Sequence, residues 1–289
     1  MNIDKLQQSL GKAASSAASL LKVALMSRDV SPKAKDKEGR VLVIMGNGPS
    51  LRQTIDNDYE WLCSHDLLAV NFAANTPDFF RLRPQYYVLA DGHFFSGNAT
   101  DPNVARLWNE LGKVSWEMTL WVPRKSLHLA KALVLTNSNI KIKTFNLTPI
   151  EGVRGISHML IDAGLGMPRP RNVMIPAIMA GIREGYKKIY LCGADHTWTR
   201  TLSVDDENFV VSVQPHFYKD NDKEHERVRS AYAGLHLHDV LGSMTIAFRS
   251  YWQLADYAKA KGIEIINATP GSMIDAFPRR DFPAANDGM

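Results

Sequence analysis

The chemistry-bearing side chains of this chain cluster just after short apolar runs. Gly46-Asn47-Gly48-Pro49-Ser50-Leu51 follows VLVIM, Asn71 closes LLAVN, Asp91 closes YYVLAD, and Gly193-Ala194-Asp195 follows KKIYLC. Glycines let a backbone turn tightly and approach a ligand, and a helix opening at such a turn points free N–H groups at an anion. The loop lacks the third glycine of a dinucleotide fingerprint, because Leu51 stands there, and no P-loop lysine follows. Neither a nicotinamide dinucleotide site nor a P-loop NTPase is therefore expected. Amide and carboxylate side chains at three strand ends, beside a glycine loop at a fourth, suit a binding crevice. Each one singly could equally cap a helix or a turn.

These residues need a frame. Apolar runs at 41–46, 66–72, 86–91, 117–123, 141–146, 187–193 and 263–268 read as strands, several of them nearly continuous in the way of strands buried on both faces. Helical patterns fall at 50–63, 103–112, 126–135, 171–185 and 245–261. Strand and helix in alternation imply an α/β fold, Rossmann-like, with a mostly parallel sheet covered on both faces and ligands at the carboxyl ends of its strands. The expected organisation is a helix and charged linker over 1–40, a nucleotide-binding domain over 41–279 with an insert at 196–240, and a tail over 280–289.

Of the 289 residues, 34 are Lys or Arg and 30 are Asp or Glu, a net charge of +4. Residues 1–40 hold eight basic and four acidic side chains, so the whole excess lies there and the remainder is neutral. A nucleic-acid-binding body is not expected. Ile3, Leu6, Leu10, Ala13, Ala17, Leu20 and Ala24 recur at helical spacing, widened by Leu21 and Leu25. Three uses compete for this stripe over residues 3–25: a membrane surface, a second copy in a homo-oligomer, or the chain's own core. Ser27 to Arg40 reads as a polar linker. Two distant cysteines, Cys63 and Cys192, exclude a disulfide framework and a Cys-based zinc site, and no export signal is evident. The expected location is the cytoplasm, at most peripheral on the inner membrane face.

VLVIMGNGPSL, LLAVNF, YYVLAD, GYKKIYLCGADH and IEIINATPGS together resemble a superfamily with two branches. One comprises the bacterial sialyltransferases of lipooligosaccharide synthesis, which use a CMP-activated sugar. The other is the 6-hydroxymethylpterin diphosphokinase (MptE-like) family, with its presumed surface-polysaccharide glycosyltransferases. The resemblance spans most of residues 41–278. It implies a donor site formed by Gly46, Asn47, Gly48, Ser50 and Asn71, with Asn172 at a helix start and Asp195 closing the family's GxD turn. Asp91 departs from the asparagine of the sialyltransferases, and its carboxylate would suit Mg²⁺ on a diphosphate in the diphosphokinase branch. The sialyltransferase general base would fall near Thr245, where there is no histidine. His236 and His238, on one face if that run is extended, are the substitutes.

The resemblance thus implies transfer of a sugar from a nucleotide-sugar, a CMP-linked acidic sugar above all, to a glycan or lipid-linked acceptor. Mg²⁺-ATP-dependent diphosphate transfer and a non-catalytic nucleotide-binding module are the alternatives. The chain has no HExxH, EF-hand, GxSxG or DxD motif, and Asp205-Asp206-Glu207 lacks DxD spacing. The insert offers Trp198, Phe209, His216, Phe217, Tyr218 and Tyr232 for stacking. Its Arg200, Lys219, Lys223, Arg227 and Arg229 could meet phosphate.

Overall fold

The structure, a computed structural model, describes residues 3–96, 100–134, 137–211 and 234–283, with side chains from residue 7 onward at the amino-terminal end. All seven expected strands form and join one sheet: β1 (Val41–Met45), β2 (Asp66–Val70), β3 (Tyr86–Val88), β4 (Met118–Pro123), β5 (Ile140–Phe145), β6 (Lys188–Cys192) and, last in the chain, β9 (Glu264–Asn267). Their order is β5-β4-β3-β2-β1-β6-β9 and every pairing is parallel. Alternate residues of β1 serve opposite cores: Leu42 and Ile44 one, Val43 and Met45 the other. Burial on both faces is why these strands lack a polar alternation.

The chain winds outward from β1 to β5 and then returns to place β6 on the other side of β1. The strand order therefore reverses between β1 and β6, and a crevice opens above their carboxyl ends. One face carries α1 (Ile3–Met26), α8 (Arg154–Asp162), α9 (Met174–Arg183) and α10 (Leu237–Ala260). The other carries α2 (Ser50–Asn57), α3 (Tyr59–Cys63), α4 (Pro77–Leu82), α6 (Pro102–Gly112) and α7 (Leu127–Val134). The short α5 (His93–Ser96) lies at the mouth of the crevice.

Several element boundaries depart from expectation. The helix expected over 50–63 breaks at Asp58 into α2 and α3, and the last long helix begins at Leu237, eight residues early. Helix α8 was not anticipated, because Gly155 and Ser157 weaken its local signal. Leu160 and Ile161, buried in the core, supply the stabilisation that propensity lacks.

The segment 27–40 is not a free linker. Ser31 exchanges hydrogen bonds with Thr144, Ala34 N–H donates to the Arg183 carbonyl, and Lys37 N–H donates to that of Gly185. Further along, the Lys37 ammonium donates to the Tyr86 and Tyr186 hydroxyls, and Arg40 pairs with Asp66. Two of the charges that suggested a solvated tether, those of Lys37 and Arg40, are spent on contacts at the amino ends of the strands.

Between β6 and α10, the expected insert begins with a 3₁₀ turn (Thr197–Arg200) and a two-stranded hairpin, β7 (Ser203–Val204) with β8 (Val210–Val211). Val210 packs with Val240 and Met244. His216, Phe217, Tyr218, Lys219, Lys223, Arg227, Arg229 and Tyr232 lie outside the described residues.

Candidate functional site

A cavity of about 510 Å³ occupies the crevice at the carboxyl ends of the strands. Gly46, Asn47, Gly48, Asn71, Asp91, Asn172 and Asp195 all line it, brought together from sequence positions up to 149 residues apart. Ser50 stands one step behind, bonded to Asp195. His93, Asp101, Arg171, His196 and Trp198 complete its chemically active wall.

The glycine loop has an internal function that its sequence conceals. Gly46 N–H donates to the Cys192 carbonyl and Gly48 N–H to that of Gly193, both at 2.8 Å. A Cβ on Gly46 would collide with the Gly193 carbonyl, and one on Gly193 would stand 2.6 Å from that of Gly46. Two strand-end loops thus lie backbone against backbone, and the missing side chains permit that approach. Asp195 completes the join. Its carboxylate accepts from the Ser50 hydroxyl at 2.8 Å and from the Ser50 N–H at 3.3 Å. The first N–H of α2, which sequence reasoning offered to a ligand anion, is bonded to the protein's own carboxylate. Burial pushes the Asp195 carboxyl up from its ordinary value, against the opposing pull of the Ser50 hydrogen bonds.

Two asparagines present the opposite situation. Asn47 Nδ2 donates to the Val70 carbonyl, and its buried Oδ1 has no hydrogen-bond partner in the protein. Asn172 Oδ1 accepts from Met174 N–H and from the Tyr251 hydroxyl, and its buried Nδ2 has none. One buried acceptor and one buried donor therefore await partners, in side chains whose other ends are fixed. The Tyr251 hydroxyl is in turn 2.7 Å from His196 Nε2, so a chain of three side chains sets the Asn172 rotamer.

Asn71 and His196 both adopt the left-handed region, with φ of 51° and 52°. Such conformations cost roughly 1–3 kcal/mol each and persist where surrounding contacts over-determine them. For Asn71, the Tyr87 hydroxyl bonds its carbonyl at 2.5 Å; for His196, Tyr251 and the ring of Trp198, 4.3 Å away, hold the imidazole.

Full burial lowers the His196 pKa to about 3. Its folded value lies below its ordinary value near 6.5. The resulting stabilisation is complete above pH 6.5 and is lost as pH falls toward 3, at roughly 1.4 kcal/mol per pH unit. Urea titrations of wild type and His196→Gln between pH 7 and 5 should give a shallower pH slope for the variant. Equal slopes would mean that the imidazole is not held neutral.

Asp91 sits exposed at the cavity rim, where Oδ1 accepts from His93 N–H at 2.9 Å. The His93 ring turns toward Asp101, with Nε2 to Oδ2 at 2.8 Å, while Asp101 Oδ1 caps α6 through the Asn103 N–H. Partial burial pushes the Asp101 carboxyl up. The His93 bond and the backbone N–H groups of Asn103 and Val104 outweigh that effect and bring it below its ordinary value. Among the described residues, no cluster of three or more His, Cys, Asp or Glu side chains is gathered for a metal ion.

The two histidines expected to supply a base are elsewhere. The run through His236 and His238 is not extended: His236 is the N-cap of α10, where its N–H donates to the Asp239 carboxylate, and His238 lies in the first turn with its side chain 81% exposed. Neither lines the cavity. The cap sequence His-x-x-Asp explains the correction, because an acidic residue three positions after the cap satisfies its N–H and starts the helix early. His93, Asp101 and Arg171 were missed. The available signals were Asp91-Gly92-His93 directly after a strand, and Arg171 beside Asn172.

A comparison with solved structures finds similarity to the MAf glycosyltransferase of Magnetospirillum magneticum AMB-1, at a TM-score of 0.47 and 12% identity, over 90% of this chain. The chain spans 37% of that protein's length. No protein-family model and no curated protein matches the chain.

Proposed function

We propose that this chain transfers a sugar from a nucleotide donor, a CMP-linked acidic sugar, to a hydroxyl of a surface-polysaccharide or lipid-linked acceptor. The observation that carries the reading is the pair of orphaned amide atoms at the strand-order reversal, Asn47 Oδ1 and Asn172 Nδ2. A cytosine edge offers an amino donor beside acceptor atoms, which complements one buried acceptor and one buried donor. Among the described residues, Arg171 is the Lys or Arg lining the cavity that would meet the leaving phosphate, and Trp198 offers an aromatic face. With Nε2–H given to Asp101, His93 keeps its Nδ1 lone pair to accept the proton of the attacking hydroxyl. The sequence resemblance to the sialyltransferases points the same way.

Calorimetry with CMP, UDP and GDP tests the reading. CMP should bind most tightly, and Asn172→Ala should weaken it roughly tenfold, the effect of one lost hydrogen bond. Absence of binding by all three nucleotides would remove the basis for a sugar-transferase assignment. One observation favours a second reading, diphosphate transfer from Mg²⁺-ATP: Asp91 lines the cavity and, among the described residues, only its Oδ1 is hydrogen-bonded, which leaves Oδ2 open to a metal ion. Mg²⁺-dependent AMP formation, abolished by Asp91→Asn, would select it.

A further inference from the structure

Helix α1 docks with the side opposite to the one its composition suggests. Ser16 and Ser19 are buried: Ser16 Oγ accepts from Val153 N–H, and Ser19 Oγ both donates to the Glu151 carbonyl and accepts from its N–H. Val23, one turn on, packs against the core. The apolar stripe faces away, leaving Leu10 63%, Leu21 62% and Leu25 66% exposed, with Ala13, Ala17 and Ala24 exposed between them. Every described residue from 7 to 14 is exposed, so the first turns project beyond the body. Among the described residues, this face carries no charge and nothing packs against it.

We propose that this face of α1 is a docking surface for an anionic lipid bilayer. Charge selects the occupant. The helix itself is cationic, with Lys5, Lys12 and Lys22 against Asp4, and both Lys12, on the projecting first turns, and Arg28, just past the helix end, are exposed where anionic head groups would attract them. A second copy would bring two such cationic segments together across a seam made thin by alanines. No described helix is long and apolar enough to cross a membrane, so α1 would lie in the interface plane. Its anchorage directs the consequence. Glu151 and Val153 belong to the loop that leaves the carboxyl end of β5, and Leu147 of the same loop lines the cavity. A bilayer under α1 therefore lies at the edge of the sheet where the cavity opens. The inference stands independently of the reaction proposed above.

Sedimentation of the full chain with phosphatidylcholine vesicles, with and without phosphatidylglycerol, tests it. Wild type should sediment with the anionic vesicles and largely dissociate at high salt. Leu10→Glu/Leu21→Glu should reduce binding roughly a hundredfold, since two leucines lose their burial. Both positions are exposed, so the variant's melting temperature should match wild type and separate lost docking from lost folding. Wild type that ignores anionic vesicles, or a double variant that binds as wild type does, overturns the proposal. A wild-type dimer that the double variant dissociates, with no vesicle binding, assigns the face to a second copy instead.

Discussion

Alanine at His93 should lower kcat for sugar transfer by about 10²- to 10⁴-fold, the span usual for a lost general base, while leaving nucleotide affinity unchanged. The ring stands at the mouth of the cavity, and its Nε2 is engaged by a carboxylate that also caps a helix and so cannot swing away. This fixes the tautomer with Nδ1 unprotonated, the arrangement in which an acidic partner orients a histidine base. Asp101→Asn should keep the cap but release the tautomer, giving a smaller loss at the same nucleotide affinity. The measurement is steady-state turnover with the nucleotide-sugar that calorimetry selects, beside calorimetric affinity for the bare nucleotide. Full turnover in His93→Ala would move the base elsewhere. Equal losses of turnover and affinity would mean that the ring holds the donor instead.

The second large effect is on the frame. Gly46→Ala adds one methyl group at a point where two backbones touch, and no flexible side chain is there to yield. Overpacking of this kind costs about 1–3 kcal/mol, sometimes more, which for a chain of this length corresponds to a fall of about 2–5 °C in Tm. Displacing this loop from Gly193 would also separate Ser50 from Asp195 and move Asn47, so nucleotide binding should weaken with stability. Scanning calorimetry with and without nucleotide reads both. A variant that melts and binds like wild type would show that the two loops are not locked together.

Both effects bear on what the chain disclosed before its structure was known. The sheet was legible because its strands are buried on both faces, which leaves apolar runs without helical period and sets polar residues at their ends. Asn47, Asn71, Asp91 and Asp195 could be placed at one crevice by that argument alone. Their roles could not be. Asp195 looks like any other polar strand end, and only the distance to Ser50 reveals that its carboxylate closes the loop. His93 and Asp101 lie eight residues apart, and each passes separately for a turn or cap residue. Their pairing depends on how the chain between β3 and α6 folds back. Helix α1 teaches the converse. Its stripe was plain, but its direction was decided by Ser16 and Ser19, two small polar residues whose hydroxyls match the Glu151 and Val153 backbone better than any leucine could.

The extended stretch from Ser27 to Arg40 has a practical bearing on how the chain can be shortened. It runs from beside the cavity edge, where Ser27 meets Thr148, down to the amino ends of the strands, where Lys37 reaches the two tyrosines and Arg40 reaches Asp66. A truncation starting at Val41 would uncover Thr144, Asn146 and the Tyr86–Tyr186 pair along one flank of the sheet. A truncation at Ser27 would in turn uncover the Glu151 and Val153 backbone groups that Ser19 and Ser16 satisfy. Only the turns before Ser16 project free of the body, so the segment that can be removed without uncovering a hydrogen-bonded backbone ends inside the helix and not at its last residue.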